Sequence, residues 1–468
     1  MQNSGPTRHY WIRSGFLTLL ERGCSLLFAF GTAALLLRGL TKEDFATWGI
    51  FLITTYFIEM GRSGLIQNGL VRFLALHRSE RADYAAISTA SLALNAGFSI
   101  ISGLLLWLGT GWIVQTYHAP GISELIHVYW ITNFVMVLYW HFNFVQQANF
   151  EFRGIFWSTF FFRGGLFAWV LLCKLAAWPI ELPQLAVAML AGAILGMLGS
   201  WLYARPFLRH ARQIDPGWVK KLLAYGKYVL GTNLSTMFYK NIDKLALGQL
   251  LGPAAFAVYD AAGKVTQMIE TPSFSIAQIV FPQSAGRMEN EGAAGVKRLY
   301  ERSVAAILAI ILPFILLVLL FAGPIIRLFA GDQYAASADV MRLTAFFGLF
   351  MPFAVQFGTI LDSTGKPAVN FGYTLSTALL NLGLSFWFVT RYGLFGAAFA
   401  TLTTYAASFA FMQYYLYKKF KINALNVFLH IPDLYVQGWK ILVTKSPGHR
   451  QPEENRPEPA PNRATIKQ

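Results

Sequence analysis

Charge is scarce in this chain. Only 13% of its 468 residues are Asp, Glu, Lys or Arg, roughly half of what soluble domains carry. With 55% hydrophobic residues, an ordinary water-soluble fold is excluded and the sequence reads as a polytopic membrane protein. Cysteine is nearly missing: Cys24 and Cys173 both fall inside apolar runs, which argues against a disulfide scaffold or a Cys/His metal centre. Long hydrophilic stretches are missing too. No loop between apolar runs exceeds roughly 20 residues, and none carries paired carboxylates or a phosphate-cradling glycine pattern. A glycosyl transferase, polymerase or ligase is therefore disfavoured, so the chain is read as a non-enzyme without a resident cofactor. Met1 to Arg13 is polar and no small-residue cleavage site interrupts the first apolar run, so that run is expected to be a permanent span and not a cleaved signal.

What the sequence has in quantity is apolar runs long enough to cross hydrocarbon as helices. Twelve are expected, over 14–37, 45–70, 84–110, 122–147, 155–177, 184–204, 224–250, 254–282, 303–329, 335–361, 367–389 and 394–417. The fold class is thus all-α integral membrane. Lys and Arg are unevenly shared between the connecting loops. Nineteen lie on the side of the N-terminus and only Arg38, Lys42, Lys174, Arg327 and Arg391 on the other, which predicts that both termini are cytoplasmic. The formal charge of +15 is then topological, and a nucleic-acid partner is not expected. Residues 423–442 are interrupted by Pro432 and Gly438, consistent with a surface-lying helix. The proline-rich, charged tail from Ser446 is expected to be disordered.

An offset of 211 residues pairs Leu40 with Leu251, Phe45 with Phe256, Ala46 with Ala257, Thr55 with Thr266, Ile58 with Ile269, Glu59 with Glu270 and Gln67 with Gln278. Six spans per copy is an even number, so the copies share one orientation, as in transporters built from parallel repeats. This predicts an N-terminal lobe with its linker, residues 1–218, and a C-terminal lobe, residues 219–420, followed by a tail, residues 421–468. The linker "RPFLRHARQIDPGWVKK" is basic and holds Pro206 and Pro216.

Helical geometry then gives the facing of each polar residue. In span 2, Glu59, Arg62, Ser63 and Gln67 fit an arc of about 140°; in span 8, so do Asp260, Lys264, Gln267, Glu270, Thr271, Ser275 and Gln278. Ser14, Thr18, Glu21, Arg22, Ser25 and Thr32 of span 1 occupy about 100°, as do Asn233, Thr236, Lys240, Asp243 and Lys244 of span 7. Each ionised group at mid-membrane costs about 2.5–3.5 kcal/mol on insertion scales, so these ten charges must face partners or water. Pairing along the helix is available to Glu59–Arg62, Lys240–Asp243 and Asp260–Lys264. Glu270 has no base three or four residues away. The set is read as lining a transport cavity, with Arg22, Arg62, Lys240, Lys264, Gln67 and Gln278 toward substrate and Glu59, Glu270, Asp243 and Asp260 as ion-coupling candidates. Elsewhere, Gly192 and Gly196 have the small-xxx-small spacing of close helix contacts, while His141, Asn95 and Asn381 are read as helix–helix hydrogen-bond partners.

The segments "LLLRGLTKEDFATWGIF", "NIDKLALGQLLGPAAFAVYDAAGKV" and "ILDSTGKPAVNFGYTLSTALLNLGLSFWFVTRYGLFGAAFAT" resemble polysaccharide and O-antigen flippases of the MOP (multidrug/oligosaccharidyl-lipid/polysaccharide) exporter superfamily, over about residues 10–420. The resemblance implies movement of a polyprenyl-pyrophosphate-linked oligosaccharide from the inner to the outer leaflet of a bacterial cytoplasmic membrane, by alternating access between two six-helix lobes. Membrane lipids and other polysaccharide-assembly proteins are the partners it implies. Arg22, Arg62 and Lys264 match by span the cationic cavity of the related lipid II flippases. Those flippases have fourteen spans, whereas twelve are expected here. The charged stripes hold as many acids as bases, so an anionic headgroup would require acids to be protonated or paired, which fits proton or sodium coupling. The alternative is a multidrug and toxin cation antiporter of the same superfamily; arginines in the cavity count against it.

Overall fold

A computed structural model describes residues 8–149 and 151–444. Every regular element among them is helical, because backbone polar groups in hydrocarbon must be satisfied within their own segment. In chain order the helices are α1 (Arg8–Gly39), α2 (Lys42–Arg62), α3 (Asn68–Leu76), α4 (Arg81–Tyr117), α5 (Ile122–Ala148), α6 (Phe152–Leu175), α7 (Leu182–Ala204), α8 (Pro216–Leu251), α9 (Pro253–Thr266), α10 (Glu270–Ala330), α11 (Ser337–Ala345), α12 (Phe347–Ser363), α13 (Pro367–Tyr392), α14 (Leu394–Phe420) and α15 (Ala424–Thr444). Among the described residues, six segments are long and apolar enough to cross a membrane: α4 to α7, the part of α10 from Arg287 onward, and α14. The pair α11 and α12, bent by 45°, makes a seventh when counted as one. The protein is a multi-pass membrane protein.

The other expected runs depart from unbroken apolar spans for local reasons. Run two is divided by a π-helical turn, Ser63–Gln67, between α2 and α3. Run eight consists of α9, a 3-10 turn at Gln267–Ile269 and the start of α10. Pro272 has no N–H to offer the carbonyl of Met268, and the turn tightens just before it. Gly292, at φ 61° and ψ −149°, then breaks α10 between runs eight and nine, a conformation that side chains disfavour. Run seven, α8, is kept polar by Lys240, Asp243 and Lys244 in its middle.

Packing divides along the sequence. In the first half α6 lies on α1 and α7, and α7 on α5; in the second, α10 packs on α12, and α13 on α8 and α14. The glycine pair in α7 is such a contact: a Cβ at Gly192 would meet the Phe162 carbonyl oxygen at 2.7 Å, and one at Gly196 the Ser158 oxygen at 2.6 Å. Asn95 donates to the Val137 carbonyl at 2.9 Å and Asn381 accepts from Thr404 at 3.1 Å, while His141 lies 3.4 Å from Ser88 Oγ. These three polar residues tie neighbouring helices together, as expected. Both cysteines are free thiols.

The two halves meet where α8 crosses α2 and its π turn. Gly226 lets the α8 backbone lie directly on the Leu65 carbonyl, and a Cβ at Gly64 would meet Leu230 Cα at 2.8 Å. Phe57 and Phe238 (4.8 Å between centroids) and Phe73 and Trp218 (5.6 Å) continue the seam. The connecting segment after α7 is fastened to the first half. Thr89 Oγ1 accepts from the Ala211 amide at 2.8 Å, Arg209 stacks 5.7 Å above Tyr84, and the His210 and His141 rings are 5.7 Å apart. Burial holds His210 below the ordinary imidazole pKa, so near neutral pH it packs there uncharged.

The helix expected over 423–442 is α15, and it is not detached. Asn423 and Asn426 donate to Glu301 at 3.3 and 3.2 Å, and Tyr435 donates to the Ala309 carbonyl at 2.6 Å. It therefore leans along α10. The tail from Ser446 lies outside the described residues.

The glycine seam gives a direct test. Gly226→Ala should lower the thermal unfolding midpoint in detergent, at a cost of about 1–3 kcal/mol for overpacking. Gly97→Ala, at a site with open space, should not. Equal midpoints would refute the backbone contact.

Candidate functional site

Among the described residues, the charged side chains of runs two, seven and eight form two clusters, one in each half. In the first, Glu59 stands one turn before the π segment. Its carboxylate accepts from Tyr129 OH at 3.1 Å, from Trp140 Nε1, and from Arg62 at 3.4 Å. Arg62 has no solvent exposure at all. Its guanidinium donates to Ser99 Oγ at 2.7 Å, Asn133 Oδ1 at 2.5 Å and the Asn133 carbonyl at 3.3 Å. This corrects the placement expected from helical phase: Arg62 points between α4 and α5, into the first half, and not toward a cavity. The reason lies in its partners, since a cation in a low-dielectric interior goes where acceptors are fixed. Past Ser63 the π turn adds residues per turn, so a uniform 100° step no longer gives the facing of Gln67. That residue accepts from Ser63 Oγ and donates to Gln147 at 3.1 Å.

The second cluster is larger. Lys244 and Lys264 share Asp260, at 2.7 and 3.5 Å. One turn from Lys244 on α8, Lys240 pairs with Glu270 at 2.8 Å and lies 4.9 Å above the Phe274 ring. Asp243, facing aside, accepts from Tyr259 OH at 2.6 Å, from the Lys244 amide at 2.8 Å and from Thr401 at 3.5 Å. Two sequence expectations change here. Lys240 pairs across helices and not with Asp243 three residues on, and Glu270, without a base on its own helix, finds one on α8. The Asp260–Lys264 and Glu59–Arg62 pairs are present as expected. The side chains of Glu21, Arg22 and Gln278 lie outside the described residues.

Exposure separates the pairs by what they can do. Lys244 and Asp260 are 8% and 4% exposed, whereas Lys240 and Glu270 are 36% and 29% exposed and Lys264 is 28% exposed. A buried pair cannot lose one partner without stranding the other charge. A half-exposed pair contributes about 0–1 kcal/mol and exchanges partners readily. Lys240, Glu270 and Lys264 are thus the more accessible members of this cluster. Sequence reasoning did not foresee the residues that hold these charges: Ser99, Asn133, Tyr129 and Trp140 around Glu59 and Arg62, and Tyr259 and Thr401 around Asp243. Ser99 and Asn133 are polar interruptions of apolar runs, a signal that could have found them.

At the end of the molecule opposite the basic loops, the halves hold each other's helix termini. Arg38, closing α1, donates to the Arg327 carbonyl at 3.2 Å and to that of Leu328, the orphan acceptors ending α10. Gln333 in turn donates to the Leu37 and Leu40 carbonyls at 2.5 and 3.5 Å.

Residues 35–339, more than half of the chain, match a family described as polysaccharide biosynthesis protein. The chain belongs to that family. Among relatives of this family member, a putative O-antigen transporter of Shigella flexneri is 22% identical over 398 residues, which is 83% of this chain and 93% of the relative. A probable low-salt glycan biosynthesis flippase, Agl15, of Haloferax volcanii is 22% identical over 197 residues, 42% of each chain. The match therefore spans less than half the length of that relative, and the same holds for an uncharacterised membrane protein of Methanocaldococcus jannaschii, of which 41% is covered. In fold, the family member superposes on the lipid II flippase MurJ in an inward closed conformation with a TM-score of 0.74 (11% identity, 94% of both chains). On an inward-facing MATE multidrug transporter of the MOP superfamily the TM-score is 0.73 (15% identity, 85% of this chain and 96% of the other). Its fold is that of the MOP transporters.

The burial contrast predicts unequal costs. Arg62→Met should destabilise by about 3–5 kcal/mol, the cost of stranding a buried partner, and Lys240→Gln by less than about 1 kcal/mol. Unfolding midpoints of the purified variants check this, and similar losses would contradict the assignment.

Proposed function

We propose that this protein is a flippase that carries a polyprenyl-pyrophosphate-linked oligosaccharide from the inner to the outer leaflet by alternating access. The observation that carries the reading is the partly exposed Lys240–Glu270 pair one turn from Lys244, which shares Asp260 with Lys264, in a chain of a polysaccharide-biosynthesis family. The basic loops face the cytoplasm of a bacterial inner membrane, and the chain crosses it twelve times. Residues 1–218 and 219–420 act as lobes that rock about the α2–α8 seam. The cross-capping of Arg38 and Gln333 closes the outer side and is broken when that side opens.

Lys240 and Lys264 take the pyrophosphate, aided by Arg22. Gln67 and Gln278 take polar parts of the substrate. Arg62 positions Glu59 from behind. Each base is matched by an acid, so the pyrophosphate must displace a carboxylate. A proton on Glu270 removes its hold on Lys240 and frees that ammonium for phosphate, which couples substrate binding to proton entry. Asp243, Asp260 and Glu59, held by fixed donors, set the field around this exchange.

Cells in which the variant replaces the natural copy test this reading. Lys240→Gln and Lys264→Gln should cut surface polysaccharide at least about tenfold, the effect of some 1.4 kcal/mol lost from substrate binding. Glu270→Gln, resembling the protonated acid, should retain export and lose its response to collapse of the proton gradient. Wild-type export from both lysine variants at normal abundance would overturn the site, and absence of lipid-linked glycan build-up on the inner leaflet after removal of the protein would overturn the function.

A further inference from the structure

Beside the lobe seam, at the N-terminal end of α8, an apolar groove of about 550 Å³ opens on the protein surface. Its walls are Leu65 on the π turn and Val219, Leu223 and Ala224 on α8, with Lys220 and Lys227 at its edges. Its size is that of a small-molecule pocket, and its lining is almost wholly apolar apart from the two lysines. Lys220, Leu223, Ala224 and Lys227 follow the i, i+3, i+4, i+7 spacing of a single helix face. The two lysines are therefore about 10 Å apart along the helix axis, and both are exposed.

From this geometry we infer that the groove binds one anionic phospholipid of the cytoplasmic leaflet, its phosphate beside Lys220 and one acyl chain along Leu65, Leu223 and Ala224. An apolar trench with cationic edges at headgroup level is complementary to a lipid of that charge. The stems of the lysines cover the trench while their heads stay in the polar zone. The transported substrate is not the occupant. Lys240, which pairs with Glu270, lies about 140–160° round α8 from Lys220 and Lys227, so the groove opens away from the proposed transport site. The inference does not depend on the identity of the transported substrate.

Location gives the bound lipid a consequence. The groove floor, Leu65, is the residue whose carbonyl receives Gly226 at the tightest crossing of the two halves. A chain in the groove packs against both sides of that crossing and favours the conformation in which it is closed, by binding that state alone.

The test uses the full-length protein in phosphatidylcholine nanodiscs with or without phosphatidylglycerol, read by native mass spectrometry for retained lipid and by the unfolding midpoint. Phosphatidylglycerol should be retained through mild delipidation and raise the midpoint. Lys220→Gln should weaken retention roughly five-fold. Leu223→Trp, which fills the groove with both lysines intact, should abolish retention and decides the matter if the lysine variant does not fold. Lys418→Gln with Lys419→Gln, at the end of α14, should change nothing. Retention that survives Leu223→Trp, equal loss in the Lys418/Lys419 variant, or equal stabilisation by inorganic phosphate without lipid would each overturn the inference.

Discussion

An ion in hydrocarbon has to be neutralised by a partner within reach, and the arrangement of this protein follows from that requirement. Asp260 binds α8 and α9 together because it serves Lys244 and Lys264 at once. Arg62 fastens α2 to α4 and α5 because Ser99 and Asn133 supply its acceptors. Such pairs add little net stability compared with apolar packing of the same volume, but they are costly to break. They act as registry pins: the helices that share a charge cannot slide or rotate past each other without exposing it.

Against these fixed pairs, Lys240 and Glu270 stand apart by degree of burial and not by chemistry. Both are solvent-accessible to about a third, so water offsets the loss of the partner and exchange is cheap. The same residue types thus serve two ends in one membrane domain. Those walled in by tyrosine, tryptophan and threonine hold the scaffold, and the others stay partly exposed. Acids and bases are balanced in the cluster, so it folds without a standing excess of positive charge.

The seam between the halves obeys a different constraint, the approach of backbones. Gly64 and Gly226 remove the side chains that would separate α8 from the π turn, and aromatic pairs on either side fill the remaining space. The linker is pinned to the first half between Thr89 and Ala211. The reciprocal capping by Arg38 and Gln333 spans the other end, where it satisfies carbonyls that a helix terminus cannot satisfy itself.

Much of this was legible in the residues alone. Apolar run length determined the all-helical membrane class, since no other unit satisfies its backbone in lipid. The Gly192–Gly196 spacing determined a close helix contact, and the recurrence of Glu59 as Glu270 marked both acids as unusual. Facing was legible only as far as helices stayed regular. The π turn after Arg62 and the 3-10 turn before Pro272 break the 100° step, and a sequence does not announce a π turn because no residue type demands one. Which charge pairs with which was decided by tertiary structure: Lys240 had an acid three residues away and took Glu270 from a neighbouring helix instead. Pairing depends on the distance between side-chain tips and on the donors already committed nearby, and both are properties of packed helices, not of spacing along one chain. The sequence by itself determined that these charges must be neutralised; only the fold decided by whom, and so which of them stayed accessible.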